Sequence, residues 1–289
     1  MSIAPASGWR QVALVSGGSA GIGRAVCEQL LAQGCEVVSL DIQAPTWHSP
    51  KLHAVQVDLL DRQATAQVLQ QVVRDWPINT VVHNAGLIRA ALLPDVRLSD
   101  LDDLTQLHLA CAIQMVQAAL PTMQAQQFGR VVLLSSRAAV GLATRSAYSA
   151  TKAGLMGMAR TWALELGPQG ITVNVIAPGP IRSTAMFHDV VPAGSDKEAQ
   201  LAASLPVRRL GEPADVARVA GFFAQPGSGF ITGQVLYVCG GASVGSLNSL
   251  RSASIFSTFS AWGIAGCKPV WRSVPSGAMM AMWGMPVMP

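Results

Sequence analysis

The chain has 289 residues, half of them apolar and only 12% charged, with a formal net charge of +4. That length is ample for a core and fits one large α/β domain, and no apolar run approaches the roughly 18 residues of a spanning helix. The stretch after residue 246 holds Arg251, Lys268 and Arg272 and no acid, so what precedes it is near neutral and no nucleic-acid partner is expected.

Strands and helices alternate along the chain. RQVALVSGG (10–18) is an apolar strand ending in glycines, and AGIGRAVCEQLLAQG (20–34) a helix closed by Gly34. CEVVSLD (35–41) and LHAVQVDL (52–59) follow as strands, RQATAQVLQQVVRDW (62–76) as a helix, NTVVHNAG (79–86) as the fourth strand. Residues 98–126 form a long helical stretch that Pro121 is expected to interrupt. GRVVLLSS (129–136) is the fifth strand and SAYSATKAGLMGMARTWALELG (146–167) a helix closed near Gly167. GITVNVIAPG (170–179), the helix EPADVARVAGFFAQ (212–225) and the strand QVLYVCGG (234–241) complete the pattern. Near-continuous apolar strands are those buried on both faces. The alternation predicts a single-domain, Rossmann-type, doubly wound parallel sheet with helices on both faces, spanning 8–245.

The glycine loop SGGSAGIG (16–23) lies between the first strand and the first helix. Glycines let a backbone approach a phosphate, and a helix N-terminus offers free N–H groups and positive dipole. Gly17, Ser19, Gly21, Ile22 and Gly23 are therefore candidate cofactor contacts. Asp41 closes the second strand, where an acid grips a ribose 2′-hydroxyl and repels a 2′-phosphate, so NAD is expected rather than NADP. Asp58 and Leu59 at the third strand end could meet an adenine edge, and Asn84, Ala85 and Gly86 close the fourth strand on the side where open sheets bind ligands.

Tyr148 and Lys152 are four apart on one helix face. With Ser135 and Ser136 at the fifth strand end, a hydroxyl, a phenol and an ammonium converge at one sheet edge. A free tyrosine is a poor base at neutral pH, and a neighbouring cation favours its phenolate. The expectation is Tyr148 as acid/base, Lys152 lowering its pKa, and Ser136 holding the reacting oxygen. No metal-ligand cluster stands out.

Together these motifs resemble the classical short-chain dehydrogenase/reductase family, with SGGSAGIG, HNAG (83–86), VVLLSS (131–136), YSATK (148–152) and APGPI (177–181) in order over about 8–245. The resemblance implies an NAD(P)-dependent oxidoreductase of alcohols and ketones, usually a homotetramer. Lys152 would then also hold the nicotinamide ribose, and Pro178, Gly179 and Ile181 would line the nicotinamide side. Ser16 stands where the family usually has Thr, His83 where it has Asn. Thirteen residues before Pro121, where the family carries a catalytic Asn that links the lysine to solvent, this chain has His108. An imidazole could relay protons there, or merely fill the space. Two other readings stand beside the alcohol oxidoreductase: an NADPH-using 3-oxoacyl-[acyl-carrier-protein] reductase, which Asp41 argues against, and a non-catalytic NAD sensor, which the Tyr–Lys pair argues against.

Arg89 and Arg97 read as a solvated face, Arg208 and Arg209 as structural, and 182–205 as the substrate loop. Cys239 takes a place where the family commonly has Asp. The five cysteines match no metal or redox spacing, and with no apolar signal segment at the N-terminus a cytoplasmic location is expected. The extension 247–289, with Trp262, Trp271, Trp283 and five of eleven methionines, lacks a period. It reads as irregular or disordered sequence, or as a lid or partner-contact arm.

Overall fold

The structure is a computed structural model and describes residues 10–182, 187, 191–244, 270–273 and 279–282. Seven strands form one sheet: β1 (Val12–Ser16), β2 (Glu36–Asp41), β3 (Leu52–Gln56), β4 (Thr80–His83), β5 (Gly129–Leu134), β6 (Ile171–Pro178) and β7 (Val235–Val238). Their order is β3-β2-β1-β4-β5-β6-β7 and every pairing is parallel. The order reverses between β1 and β4, so a crevice opens beyond their carboxyl ends.

The expected apolar runs are the central strands. Every residue of β1, β4, β5 and β6 is buried, whereas the edge strands β3 and β7 are half-exposed. Helix α1 (Gly21–Ala32) and helix α7 (Pro213–Ala224) cover one face, where Val26, Cys27 and Leu30 meet Val216, Ala220 and Phe223. Helices α2 (Arg62–Asp75), α4 (Cys111–Gln126) and α5 (Ser146–Leu166) cover the other through Leu69, Met115, Met123 and Leu155. Fully buried leucines such as Leu14, Leu40 and Leu133 each contribute about 1.5–3 kcal/mol by leaving water.

Three expectations change. The third strand ends at Gln56, three residues early. The stretch 98–126 is helical throughout, as α3 (Leu98–Thr105), a π-helical turn (Gln106–Ala110) and α4, and Pro121 sits inside α4 without ending it. The substrate loop contains a helix, α6 (Asp196–Ser204), whose N-cap Ser195 hydroxyl accepts from the Glu198 N–H. Ser195 and Glu198 have the spacing of a capping box, a signal the sequence offered.

Contacts divide the chain at Ser246/Leu247. Within 247–289, strands Val270–Ser273 and Met279–Met282 pair antiparallel, and the rest of the extension lies outside the described residues.

Candidate active site

A cavity of about 760 Å³ runs along the carboxyl edge of the sheet. Its floor begins at the glycine loop. Gly17 has φ +67°, and a Cβ there would stand 3.0 Å from the Ala85 Cα. Gly23 does not line the cavity; a Cβ on it would lie 1.8 Å from the Gly17 carbonyl oxygen, so it lets the first turn of α1 close against the loop. Gly17, Gly21 and Ile22 face the cavity, as do Asn84, Ala85 and Gly86 after β4. Ser19 does not. Its N–H donates to Asp41 Oδ2 at 2.9 Å and its hydroxyl to the Gln43 carbonyl at 2.6 Å, so it ties the loop to the acid.

Asp41 lines the cavity at the end of β2, with Oδ1 accepting from the Gln43 N–H at 3.0 Å. Asp58 and Leu59 lie beside it, and Pro178, Gly179 and Ile181 lie after β6. Close-packed glycines, a helix N-terminus and a strand-end carboxylate along one elongated cavity fit a dinucleotide.

Tyr148, Lys152 and Ser136 line the same cavity. Ser136, and not Ser135, stands close enough to the Tyr148 phenol to lower its pKa, and its Oγ also accepts from the Ala138 N–H at 3.1 Å. The Ser135 hydroxyl is spent on the Lys152 carbonyl at 2.7 Å. Lys152 Nζ is 5.7 Å from the centre of the Tyr148 ring and donates to the Leu134 carbonyl at 2.8 Å. Burial pushes its pKa down to about 7. Burial raises the phenol's pKa, and the groups that lower it are the Ser136 hydroxyl and the Arg145 charge.

His108, for which the sequence left a proton relay and a space-filling role both open, lies behind the Tyr148–Lys152 pair. His108 is fully buried in the π-helical turn and does not line the cavity. Its Nε2 accepts from the Leu87 N–H at 3.3 Å, so Nδ1 carries the proton and donates to Thr151 Oγ1 at 2.8 Å. Burial, then the Lys152 charge, pushes its pKa far down and keeps it neutral. With both nitrogens engaged, and its ring 5.6 Å from that of Tyr148 in an edge-on contact, His108 positions the loop after β4 against α5. A Cβ on Gly86 would come within 3.0 Å of His108 Nε2 and 3.3 Å of Lys152 Nζ.

Ser16 and His83, two departures from the family pattern, meet each other. Ser16 Oγ accepts from the N–H groups of Asn84 and Ala85 at 3.0 Å, so its own proton goes to His83 Nδ1 at 2.9 Å. His83 Nε2 then carries the ring proton, and among the described residues it has no hydrogen-bond partner. Phe187, Val191 and Leu201 come from the expected substrate loop, whereas sequence reasoning missed the Leu87, Ile88, Arg137 and Arg145 lining. Of these only Arg145 carried a signal, one helical turn before Tyr148. Arg89 and Arg97 pair with Asp100, and Arg209 with Asp215, away from the cavity. Cys239 lies 3.2 Å from the Ser243 hydroxyl. Among the described residues no cluster could hold a metal ion, and no helix is long and apolar enough to cross a membrane.

Residues 17–243 match the family described as enoyl-(acyl carrier protein) reductase. A curated relative from Thauera aromatica, (2S)-[(R)-hydroxy(phenyl)methyl]succinyl-CoA dehydrogenase subunit BbsD, is 38% identical over 81% of this chain and 97% of its own. The 3-oxoacyl-[acyl-carrier-protein] reductase FabG of Haemophilus influenzae is 31% identical over 80% of this chain and 97% of its own. Among solved structures, a gluconate 5-dehydrogenase from Beutenbergia cavernae with bound NADP superposes with TM-score 0.73 at 27% identity, covering 80% of this chain and 96% of that one. A short-chain dehydrogenase/reductase from Burkholderia thailandensis gives TM-score 0.77 at 27% identity, covering 86% and 98%. The chain belongs to the classical short-chain dehydrogenase/reductase family. It is thus an oxidoreductase with a nucleotide-cofactor fold, of the kind that acts on alcohols and ketones.

Proposed function

We propose that the protein is an NAD-dependent oxidoreductase that interconverts a secondary alcohol and its ketone, with Tyr148 as acid/base. The observation that carries this reading is the meeting of Tyr148 with the Ser136 hydroxyl in the cavity that begins at the glycine loop. NAD supplies the hydride acceptor when bound. Gly17, Gly21 and Ile22 would hold its phosphates, Asp41 the adenine ribose, and Lys152 the nicotinamide ribose. Tyr148 takes the hydroxyl proton of the alcohol or returns it to the ketone. Ser136 holds the reacting oxygen at the phenol. Pro178, Gly179 and Ile181 would pack against the nicotinamide. By family resemblance the enzyme works as a homotetramer on a small molecule, and its scattered free cysteines suit the cytoplasm.

The second reading is a 3-oxoacyl-carrier-protein reductase, favoured by the similarity to FabG proteins. Three of the similar structures hold NADP or NADPH. Asp41 argues for NAD here, since its carboxylate would repel a 2′-phosphate.

Melting of the full chain with NAD+ and, separately, NADP+ tests the cofactor, because a ligand bound only by the folded state raises the Tm. A shift with NAD+ alone supports the proposal, and a shift with NADP+ alone brings the reductase forward. Tyr148→Phe should lower kcat by about 10²–10⁴-fold while the NAD+ shift persists. Unchanged turnover would overturn the role of Tyr148.

A further inference from the structure

The acids that line the cavity, Asp41 and Asp58, lie at its ribose end. At the other end, around Tyr148, the charged lining among the described residues is, besides Lys152, Arg137 and Arg145. Arg145 is only 8% exposed. Its described hydrogen bonds run from one terminal nitrogen to the Thr144 carbonyl and hydroxyl, at 3.3 and 2.7 Å. Neither arginine has an acid within ion-pair distance among the described residues. A buried guanidinium is expected to be paired, and one whose remaining donors have no partner is poised for an anion from outside. The fork of its N–H groups matches a carboxylate in particular.

The backbone around it is arranged at some expense. Thr144 is β-branched yet has φ +66°, a left-handed conformation such residues rarely adopt. The Ala91 N–H holds it there by donating to the Thr144 carbonyl at 3.1 Å, and the Arg145 guanidinium holds its hydroxyl. Arg145 then opens α5 one turn before Tyr148, near enough for its charge to act on the phenol.

We infer that Arg145 anchors a carboxylate of the substrate, which makes the substrate a hydroxy acid and its product the matching oxo acid. This rests on the oxidoreductase reading above and adds the substrate class. In the step, the carbinol C–H bond breaks with its electron pair passing to NAD+, and the hydroxyl proton passes to the Tyr148 phenolate. The carboxylate stays unchanged on Arg145. Arg137, half-buried at the same end, adds positive potential.

The test compares 3-hydroxybutyrate and 3-hydroxy-3-phenylpropionate with their methyl esters. Wild type should prefer the acids, and Arg145→Gln should lower the acid-to-ester ratio of kcat/KM by about ten-fold or more, chiefly through KM, with partial recovery in Arg145→Lys. An unchanged ratio would overturn the inference, because an arginine serving only Tyr148 would move acid and ester alike. Calorimetry on wild type saturated with NAD+ gives a readout free of turnover and of variant folding. 3-Phenylpropionate should bind and 3-phenylpropionamide should not, and equal binding of the two would sink the idea. Acid-selective binding without oxidation of any alcohol would count against the oxidoreductase reading and leave Arg145 standing. Tyr148-dependent oxidation of neutral alcohols, with no preference for acids, would do the reverse.

Discussion

Two buried arginines lie at opposite ends of the same sheet. Arg130, 3% exposed at the start of β5, donates to the carbonyls of Gly129, Gly170, Gln225 and Pro226 and lies 4.2 Å from the centre of the Phe128 ring. Nearby, Asn79 accepts from the Val12 N–H and donates to the Arg10 carbonyl and Gln126. There each nitrogen of the Arg130 guanidinium donates to an acceptor of the fold. At the carboxyl end Arg145 uses one nitrogen and Lys152 one described hydrogen bond, to the Leu134 carbonyl. The same residue type closes the structure at one end and leaves hydrogen-bonding capacity for a ligand at the other. Burial alone does not separate scaffold from site; the tally of donors does.

The sharpest way to break this contrast is Arg130→Met. Four carbonyls would lose a partner, each worth about 1–3 kcal/mol if left unpaired. A net loss of about 3 kcal/mol would lower the Tm by roughly 6–12 °C for a domain of this size. Arg145→Gln should lower it far less, and similar losses in differential scanning calorimetry would erase the distinction.

Gly86→Ala should come next. The added methyl presses on His108 Nε2 and Lys152 Nζ, and overpacking of this kind costs about 1–3 kcal/mol. Its mark is a fall in kcat out of proportion to the change in Tm, read by steady-state kinetics beside a melt.

Lys152→Met should change stability in the opposite direction, raising it. The pKa of Lys152 is lowered from 10.5 to about 7 in the folded protein. Between those values the unfolded chain binds a proton that the folded chain does not, so stability rises with pH across that window. The penalty is complete below about pH 7 and gone above 10.5. The cofactor-free variant should melt a few degrees above wild type at pH 7, with the gap closing toward pH 10. A lower Tm at pH 7 would mean that the ammonium is held more favourably than its burial implies.

Much of this was legible in the residues. VALVS, TVVH and GRVVLL are unbroken apolar runs because strands covered on both faces have no solvent side. The spacing of Tyr148 and Lys152 and the Gly17–Gly23 loop also read directly. The turn at Gln106–Ala110 did not, because QLHLA suits an α-helix as well as a π-turn and tertiary contacts decide between them. His108 could be read either as a proton carrier or as a space-filler because its burial beside Lys152 is a property of the fold. Arg145 drew no reading from the sequence, since a sequence does not count donors without acceptors.

The π-turn also makes the chain's tolerance of length change uneven. It fits one residue more into its span than an α-turn would hold, with bonds reaching five residues back instead of four. Removing one residue from 106–110 would let a regular helix form from Leu98 to Gln126 and satisfy the local backbone well. It would also rotate everything upstream by about 100° against α4. The imidazole would leave Thr151 and the Leu87 N–H. A shortened chain selected for foldability alone could gain there while its catalytic centre came out of register, so this turn is the place to guard when the protein is redesigned or its relatives are aligned.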